Sequence, residues 1–317
     1  MYTDFYGFTE LPFELTANQQ YLFLNGSQRE ALSILQYGLS SAKSLTALIG
    51  EAGTGKTTLL QAALKSDRCR NVRGVYLNNP RLSPKEFNQL LARQLDLGAD
   101  AAASKTVLLE RLESLLRERH EAGQTVALVI DEAQSLSFEL LEEVRLLANI
   151  ETPSIKLLPL VLAGQPELAA RFEDPALRQL QQRVTLRAHL QPFAVADTAA
   201  YIARRITAAG GVPSGIFTLD AVHQIHAFAG GIPRMINVIC DNALVAGMAL
   251  RRRPVDRACV VEVGVDLRLA PLGSGKPPLV PTEAEVPDPE IAPVRASVHD
   301  FPKVAPWRAP GFRTSIK

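Results

Sequence analysis

The stretch "GEAGTGKT", residues 50–57, matches the pattern G-x-x-x-x-G-K-[ST]. It follows the apolar run "LTALI" (45–49) and opens the helical stretch "TTLLQAALK" (57–65). A strand running through a glycine-rich turn into a helix is the setting in which this pattern cradles phosphate. Gly50, Gly53 and Gly55 let backbone N–H groups curl around oxygens, and the helix start adds the positive end of its dipole. Residues Gly50, Glu51, Ala52, Gly53, Thr54, Gly55, Lys56, Thr57 and Thr58 are thus the expected nucleotide cradle. Lys56 is expected to reach the β- and γ-phosphates, and the Thr57 hydroxyl to ligate Mg²⁺.

Around this loop, strand-sized apolar runs alternate with helical patterns. The runs are 45–50, 74–79, 125–131, 156–164 and 184–190, and the helices between them are 57–66, 84–96, 105–122, 137–149 and 167–182. Buried strands alternating with helices imply a five-stranded parallel sheet covered on both faces. Pro159 does not suit a central strand, so the fourth strand proper is expected at "LVLAG" (160–164). Before the sheet, residues 1–25 are rich in aromatics, and Ser27 with Glu30 is expected to form a capping box on the first long helix. Phe8, Pro12 and Phe13 are expected either to cover the adenine base or to pack into a core.

The 317 residues suggest about two domains. With 47 % hydrophobic residues there is enough apolar material for a core, and a net charge of +1 gives no bulk signal for nucleic acid or membrane. The α/β part spans 1–191; from 192 to 269 the strand pattern stops and four helical patterns read as an all-α second domain. From 270 to 317 the chain holds nearly half of its 21 prolines and the only tryptophan, Trp307, beside Phe301 and Phe312; it reads as a disordered tail, or as a peptide that docks on a partner or on the body of the protein. No signal peptide and no run of ~18 apolar residues is present, and the three cysteines show no CxxC pair, so a cytoplasmic, reducing location is expected.

"VALVIDEAQSL" (126–136) supplies the acids. Asp131 at the strand end is expected to hold Mg²⁺ through water, and Glu132 to orient or deprotonate an attacking water. Gln165, at the end of "LVLAG", is either part of a Gly-Gln-Pro-Glu turn or a contact to the γ-phosphate. Arg178 and Arg183, just before the fifth strand, are surface charges or fingers that reach a neighbouring subunit's γ-phosphate, Arg183 being the better placed. Arg251–Arg253 complement a helix C-terminus or touch a DNA backbone. The five histidines show no metal spacing. In "GGIPRMIN" (230–237), Pro233 suits a first helical position, yet Arg234 puts a cation where a helix disfavours one. A phosphate opposite would remove that penalty.

Taken together, the segments "MYTDFYGFTELPFELT", "GEAGTGKTT", "LVIDEAQSL", "LAGQPEL", "RQLQQRVTLRAHLQPF" and "GGIPRMINVICDNAL" resemble the AAA+ ATPases, in particular the group of general secretion pathway protein A. The resemblance covers about residues 1–265 and implies a P-loop α/β domain, a helical lid, ATP and Mg²⁺ as cofactors, and a homo-oligomer. It also implies a sensor role for Gln165, where other AAA+ proteins keep Asn, Thr or Ser, and a lid sensor role for Arg234. Relatives of this group carry a transmembrane helix and a peptidoglycan-binding domain after the ATPase; here the proline-rich tail is expected to stand in their place. Three functions remain open: an ATPase energising an envelope, secretion or exopolysaccharide export machine, a TniB-like, ATP-switched DNA-binding regulator of transposition, or a scaffold that binds ATP but barely hydrolyses it.

Overall fold

The computed structural model describes residues 1–15, 21–41, 43–78, 82–153 and 155–270. The expectations for the tail and Trp307 therefore lie outside the described residues. Five strands form one parallel sheet: β1 (Leu45–Gly50), β2 (Val72–Leu77), β3 (Thr125–Ile130), β4 (Leu160–Gly164) and β5 (Val184–Leu190), in the order β2-β3-β4-β1-β5. β4 begins directly after Pro159, as expected of a residue that has no N–H for a central ladder. β2 begins two residues earlier than its apolar run. It is an edge strand, so Val72 and Arg73 need only pair with Thr125 and Val126 on one side.

Helices α1 (Tyr2–Tyr6) and α2 (Gly26–Ser40) precede the sheet; α3 (Lys56–Leu64), α4 (Pro84–Gln94), α5 (Ala99–Ala103), α6 (Lys105–Glu121), α7 (Phe138–Leu147), α8 (Pro166–Phe172) and α9 (Arg178–Gln181) connect its strands. The alternation of side chains along each strand divides the apolar residues between two faces. Leu45, Ala47 and Ile49 share one core with Leu108, Leu112 and Leu116 of α6 and with Leu140 and Val144 of α7. Leu48, Val129 and Val161 face the other way, onto Leu35 and Leu39 of α2 and Leu60 of α3. Continuous apolar strands are stable only when both faces are covered in this way.

Two local expectations change. The cap of α2 is Asn25, whose side chain accepts from Gln28 N–H at 2.9 Å while Gln28 Oε1 accepts from Asn25 N–H at 3.3 Å. Asn caps as well as Ser, and the box two residues upstream starts the helix earlier. Ser27 instead donates to His189 C=O at 3.2 Å, tying α2 to β5. The single helix expected at 167–182 is broken into α8, a 3₁₀ turn at Pro175–Leu177 and α9. Pro175 cannot continue a helix, and Asp174 caps the new turn through Ala176 N–H at 2.9 Å. α5 carried no recognised signal.

The second core belongs to α10 (Val195–Ala208), α11 (Leu219–Ala229), α12 (Pro233–Ala249) and α13 (Arg257–Asp266). Tyr2, Tyr6, Phe8 and Phe13 of the N-terminal segment are buried in it, with Ile206, Phe217, Phe228, Ile239 and Leu244. The N-terminal aromatics thus pack with the late helices, although almost 200 residues lie between them.

The turn into α12 is tightly constrained. Gly231 has φ +72°, and a Cβ there would lie 2.2 Å from the Phe193 carbonyl oxygen. Its own C=O accepts from Phe193 N–H at 2.8 Å. Gly231→Ala is expected to lower stability by about 2–4 kcal/mol, from left-handed strain plus a clash with backbone that cannot move aside. Thermal unfolding checks this; an unchanged Tm would show that the turn rearranges freely.

Candidate active site

The register of the sheet brings the ends of β1, β3 and β4 to one edge, where open α/β sheets bind ligands. At the end of β1, Gly53 and Gly55 adopt φ +80° and +96°, the left-handed region that glycine enters at no steric cost. The turn is braced by Thr54 Oγ1 donating to Glu51 C=O at 2.8 Å. α3 starts at Lys56 with Gly55 as its N-cap, and no side chain caps it. Its first N–H groups therefore remain available to an anion.

Lys56 is buried, and its Nζ donates to Gly50 C=O at 2.8 Å and Glu51 C=O at 3.1 Å. Burial pushes its pKa below the ordinary lysine value, against the opposing pull of Glu132, Asp131 and Glu51. Thr57 Oγ1 donates to Asp131 Oδ2 at 2.6 Å, although the two residues are 74 apart in sequence. Asp131 Oδ1 in turn accepts from Glu132 N–H at 2.9 Å. A hydroxyl and a carboxylate in contact are the hard oxygen donors that Mg²⁺ selects, so the pair fits that ion.

Glu132 stands in the left-handed region, φ 52° and ψ 36°, which is strained for a residue with a side chain. Its carboxylate Oε2 accepts from Gln134 Nε2 at 2.6 Å and Gln165 Nε2 at 3.3 Å. Gln134 Oε1 accepts from Gln165 N–H at 3.1 Å, which fixes the orientation of the Gln134 amide. Arg171 secures the same turn by donating to Gln134 C=O at 2.8 Å and also to Leu136 C=O. Gln134 was missed from the sequence. Its only signal is its position two residues after Glu132.

Above the loop lies a cavity of about 410 Å³. Gly53 to Thr58 and Glu132 line it, together with the aromatic residues Tyr21, Phe23, Phe193 and Tyr201. Phe8 and Phe13 do not line it. Both are buried among the late helices, so the core-packing reading of these residues holds; the cavity's aromatic lining is Tyr21 and Phe23 from later in the segment and Phe193 and Tyr201 from after the sheet. Pro12 contributes its carbonyl to Arg205.

Arg234 lines the cavity from the first turn of α12, and its N–H donates to Gly53 C=O at 3.2 Å. A Cβ on Gly53 would lie 2.7 Å from Arg234 Cβ, so the lid helix rests on the loop through a gap that only glycine leaves. Arg178 and Arg183 are not in this cavity. Val184 pairs with Leu45 at the start of β1, so Arg183 stands at the sheet edge opposite the loop. Its Nε is buried without a hydrogen-bond partner. Arg178 is exposed on α9.

The basic cluster is largely committed. Arg252 pairs with Asp256 at 3.3 Å, and Arg253 donates to Phe5 C=O at 3.2 Å. Among the described residues no cluster of three or more His, Cys, Asp or Glu could hold a metal, and no helix is long and apolar enough to cross a membrane.

Residues 39–172 match the AAA domain family. Two solved structures have the same fold: Cdc6p from Pyrobaculum aerophilum (TM-score 0.62, 20 % identity, 80 % of this chain and 70 % of that one) and the Aeropyrum pernix ORC2 protein (TM-score 0.58, 18 % identity, 79 % and 71 %). The five-stranded sheet, the loop and the paired acids accord with this match to the AAA domain, a domain of the P-loop class. Within that class it is similar to general secretion pathway protein A of Aeromonas hydrophila, at 40 % identity over 249 residues, 78 % of this chain. The chain spans 45 % of that relative's length.

Proposed function

We propose that this protein is a Mg²⁺-dependent, oligomeric ATPase in the cytoplasm that energises or regulates assembly of a secretion, envelope or exopolysaccharide export machine. The observation that carries the site is the convergence of Lys56, the Thr57–Asp131 pair and the Glu132–Gln134–Gln165 network below one cavity. The similarity to general secretion pathway protein A supports the export context.

In this reading the loop N–H groups hold the phosphate oxygens. Lys56 exchanges the Gly50 and Glu51 carbonyls for the β- and γ-phosphates. Thr57 and Asp131 would hold Mg²⁺, whose charge offsets that building on the phosphates. Glu132 orients a water and accepts its proton. Gln165, already bonded to Glu132, lies between the strands of Lys56 and Glu132 because β4 is inserted between β1 and β3. It is suited to report the γ-phosphate to that carboxylate. Arg234 then loses its electrostatic anomaly, since the phosphates outweigh the helix-end penalty.

Arg234→Ala is expected to weaken ATP binding about 10- to 100-fold, the worth of one charged hydrogen bond. Unchanged affinity and turnover, by calorimetry and phosphate release, would reduce Arg234 to a surface charge. Arg183, remote from its own loop, supports an intersubunit role. Arg183→Ala is expected to cost about 10³-fold in turnover with ATP affinity kept. Mixing it with Lys56→Ala subunits should restore part of the activity; a linear loss on mixing would argue against any contact between sites. The transposition reading has only the Arg251–Arg253 cluster as local support, two of whose arginines also bond within the fold while remaining at the surface.

A further inference from the structure

Three residues lining the cavity, Arg205, Tyr201 and Asn237, form a chain of hydrogen bonds whose direction is set by chemistry. Arg205 is 5 % exposed and can only donate. It donates from Nε to Pro12 C=O, from Nη2 to Glu14 C=O at 3.0 Å, and from Nη1 to Tyr201 Oη at 2.8 Å. The Tyr201 oxygen therefore accepts from Arg205, and its single proton is left for its other neighbour, Asn237, at 2.9 Å. The Asn237 atom on that side must be Oδ1. The amide is thus locked, and Nδ2 points away from Tyr201. Nδ2 donates no hydrogen bond among the described residues, and Asn237 lines the cavity. Nδ2 is not among the buried unpartnered atoms, so it is open to that cavity.

Position on α12 says what the donor meets. Arg234 N–H rests on Gly53 at the phosphate loop. Asn237 is three residues on, roughly 4.5 Å farther along the helix axis. Its neighbours on the cavity wall are Tyr21, Phe23 and Phe193, which are apolar surfaces suited to a base and not to phosphate.

We propose that Asn237 is a specificity-determining contact of this site, presenting its amide N–H to a hydrogen-bond acceptor on the purine nucleoside. The Arg205–Tyr201 pair acts as its positioning relay. The acceptor is a ring nitrogen or a ribose oxygen. The relay starts on carbonyls of the N-terminal segment, so the donor's aim depends on that segment being docked: Arg205 also stacks 4.4 Å from the Tyr21 ring centroid. The proposal rests on the nucleotide-site reading above.

The test measures Kd on the full chain for ATP, 7-deaza-ATP and 2′-deoxy-ATP. Asn237→Ala is expected to weaken ATP binding about two- to tenfold, the worth of one neutral hydrogen bond. Asn237→Asp keeps an acceptor for Tyr201 but turns the donor into a second acceptor, so it is expected to bind more weakly than the alanine variant. It carries the test alone if the alanine variant loses stability. One of the two analogues should bind the wild type more weakly than ATP does, yet bind Asn237→Ala as well as ATP. The proposal is overturned if Asn237→Asp binds ATP as tightly as the wild type, or if both analogue penalties persist unchanged in the variants. Lys56→Ala separates the two failures. If it too leaves ATP affinity unchanged, the cavity is not the nucleotide site; if it abolishes binding while Asn237→Asp does not, only the Asn237 contact is wrong.

Discussion

Lys56→Ala is expected to abolish measurable ATP binding. Two charge-assisted hydrogen bonds to phosphate are worth about 3–6 kcal/mol together, a factor of roughly 10²–10⁴ in Kd. The structure adds a way to separate this loss from misfolding. Lys56 is buried and held on the Gly50 and Glu51 carbonyls, and burial already opposes its charge. Alanine removes that desolvation cost together with two bonds, so the unfolding temperature should change little while affinity collapses. Calorimetric titration with ATP, paired with a thermal melt, measures both. Retained affinity would reject the phosphate reading of residues 50–57.

Glu132→Gln should give the second large effect, with the opposite signature. ATP binding is expected to stay within about threefold of the wild type, while turnover falls about 10²–10⁴-fold, as for loss of a general base. The amide has the shape of the carboxylate, and its oxygen can still accept from Gln134 and Gln165, so the loop geometry should persist. Removal of a negative charge beside the phosphates acts, if anything, in favour of binding. Single-turnover hydrolysis and nucleotide retention on the purified protein check the split. Equal, slow hydrolysis by variant and wild type would mean that hydrolysis is not the task of this site.

Much of the site was legible because its parts are short-range. The loop, the Asp131–Glu132 pair and Gln165 each follow a strand that announces itself by an apolar run. The strand ends LTALIG, LVLAG and VTLRAHL fall where those runs fall. Local competition explains the misreadings. Two capping boxes overlapped at Asn25 and Ser27, and the upstream one formed. Pro175 broke a pattern whose apolar spacing ran on through it.

The remaining features are long-range. Phe8 and Phe13 could be assigned to a base or to a core only by knowing what packs on them, and the answer lies in α10–α13. Gln134, Asn237, Tyr201 and Arg205 were not legible, since an amide or a phenol has no spacing rule of its own; its meaning comes from its partners. Arg183 has a motif-like setting, yet only the register of β5 on β1 shows it at the edge away from its own loop.

By itself, then, the sequence determined the class of fold, the glycine-rich loop, the paired acids and the run of late helices, because each depends on periodicity or spacing within a few turns of chain. The tertiary structure alone decided which side chains share the cavity, how Glu132 is held, and that the N-terminal aromatics belong with the lid. Those outcomes depend on strand order and on contacts between residues as far as 248 positions apart, where the local pattern that dictates each element carries no information about its neighbours.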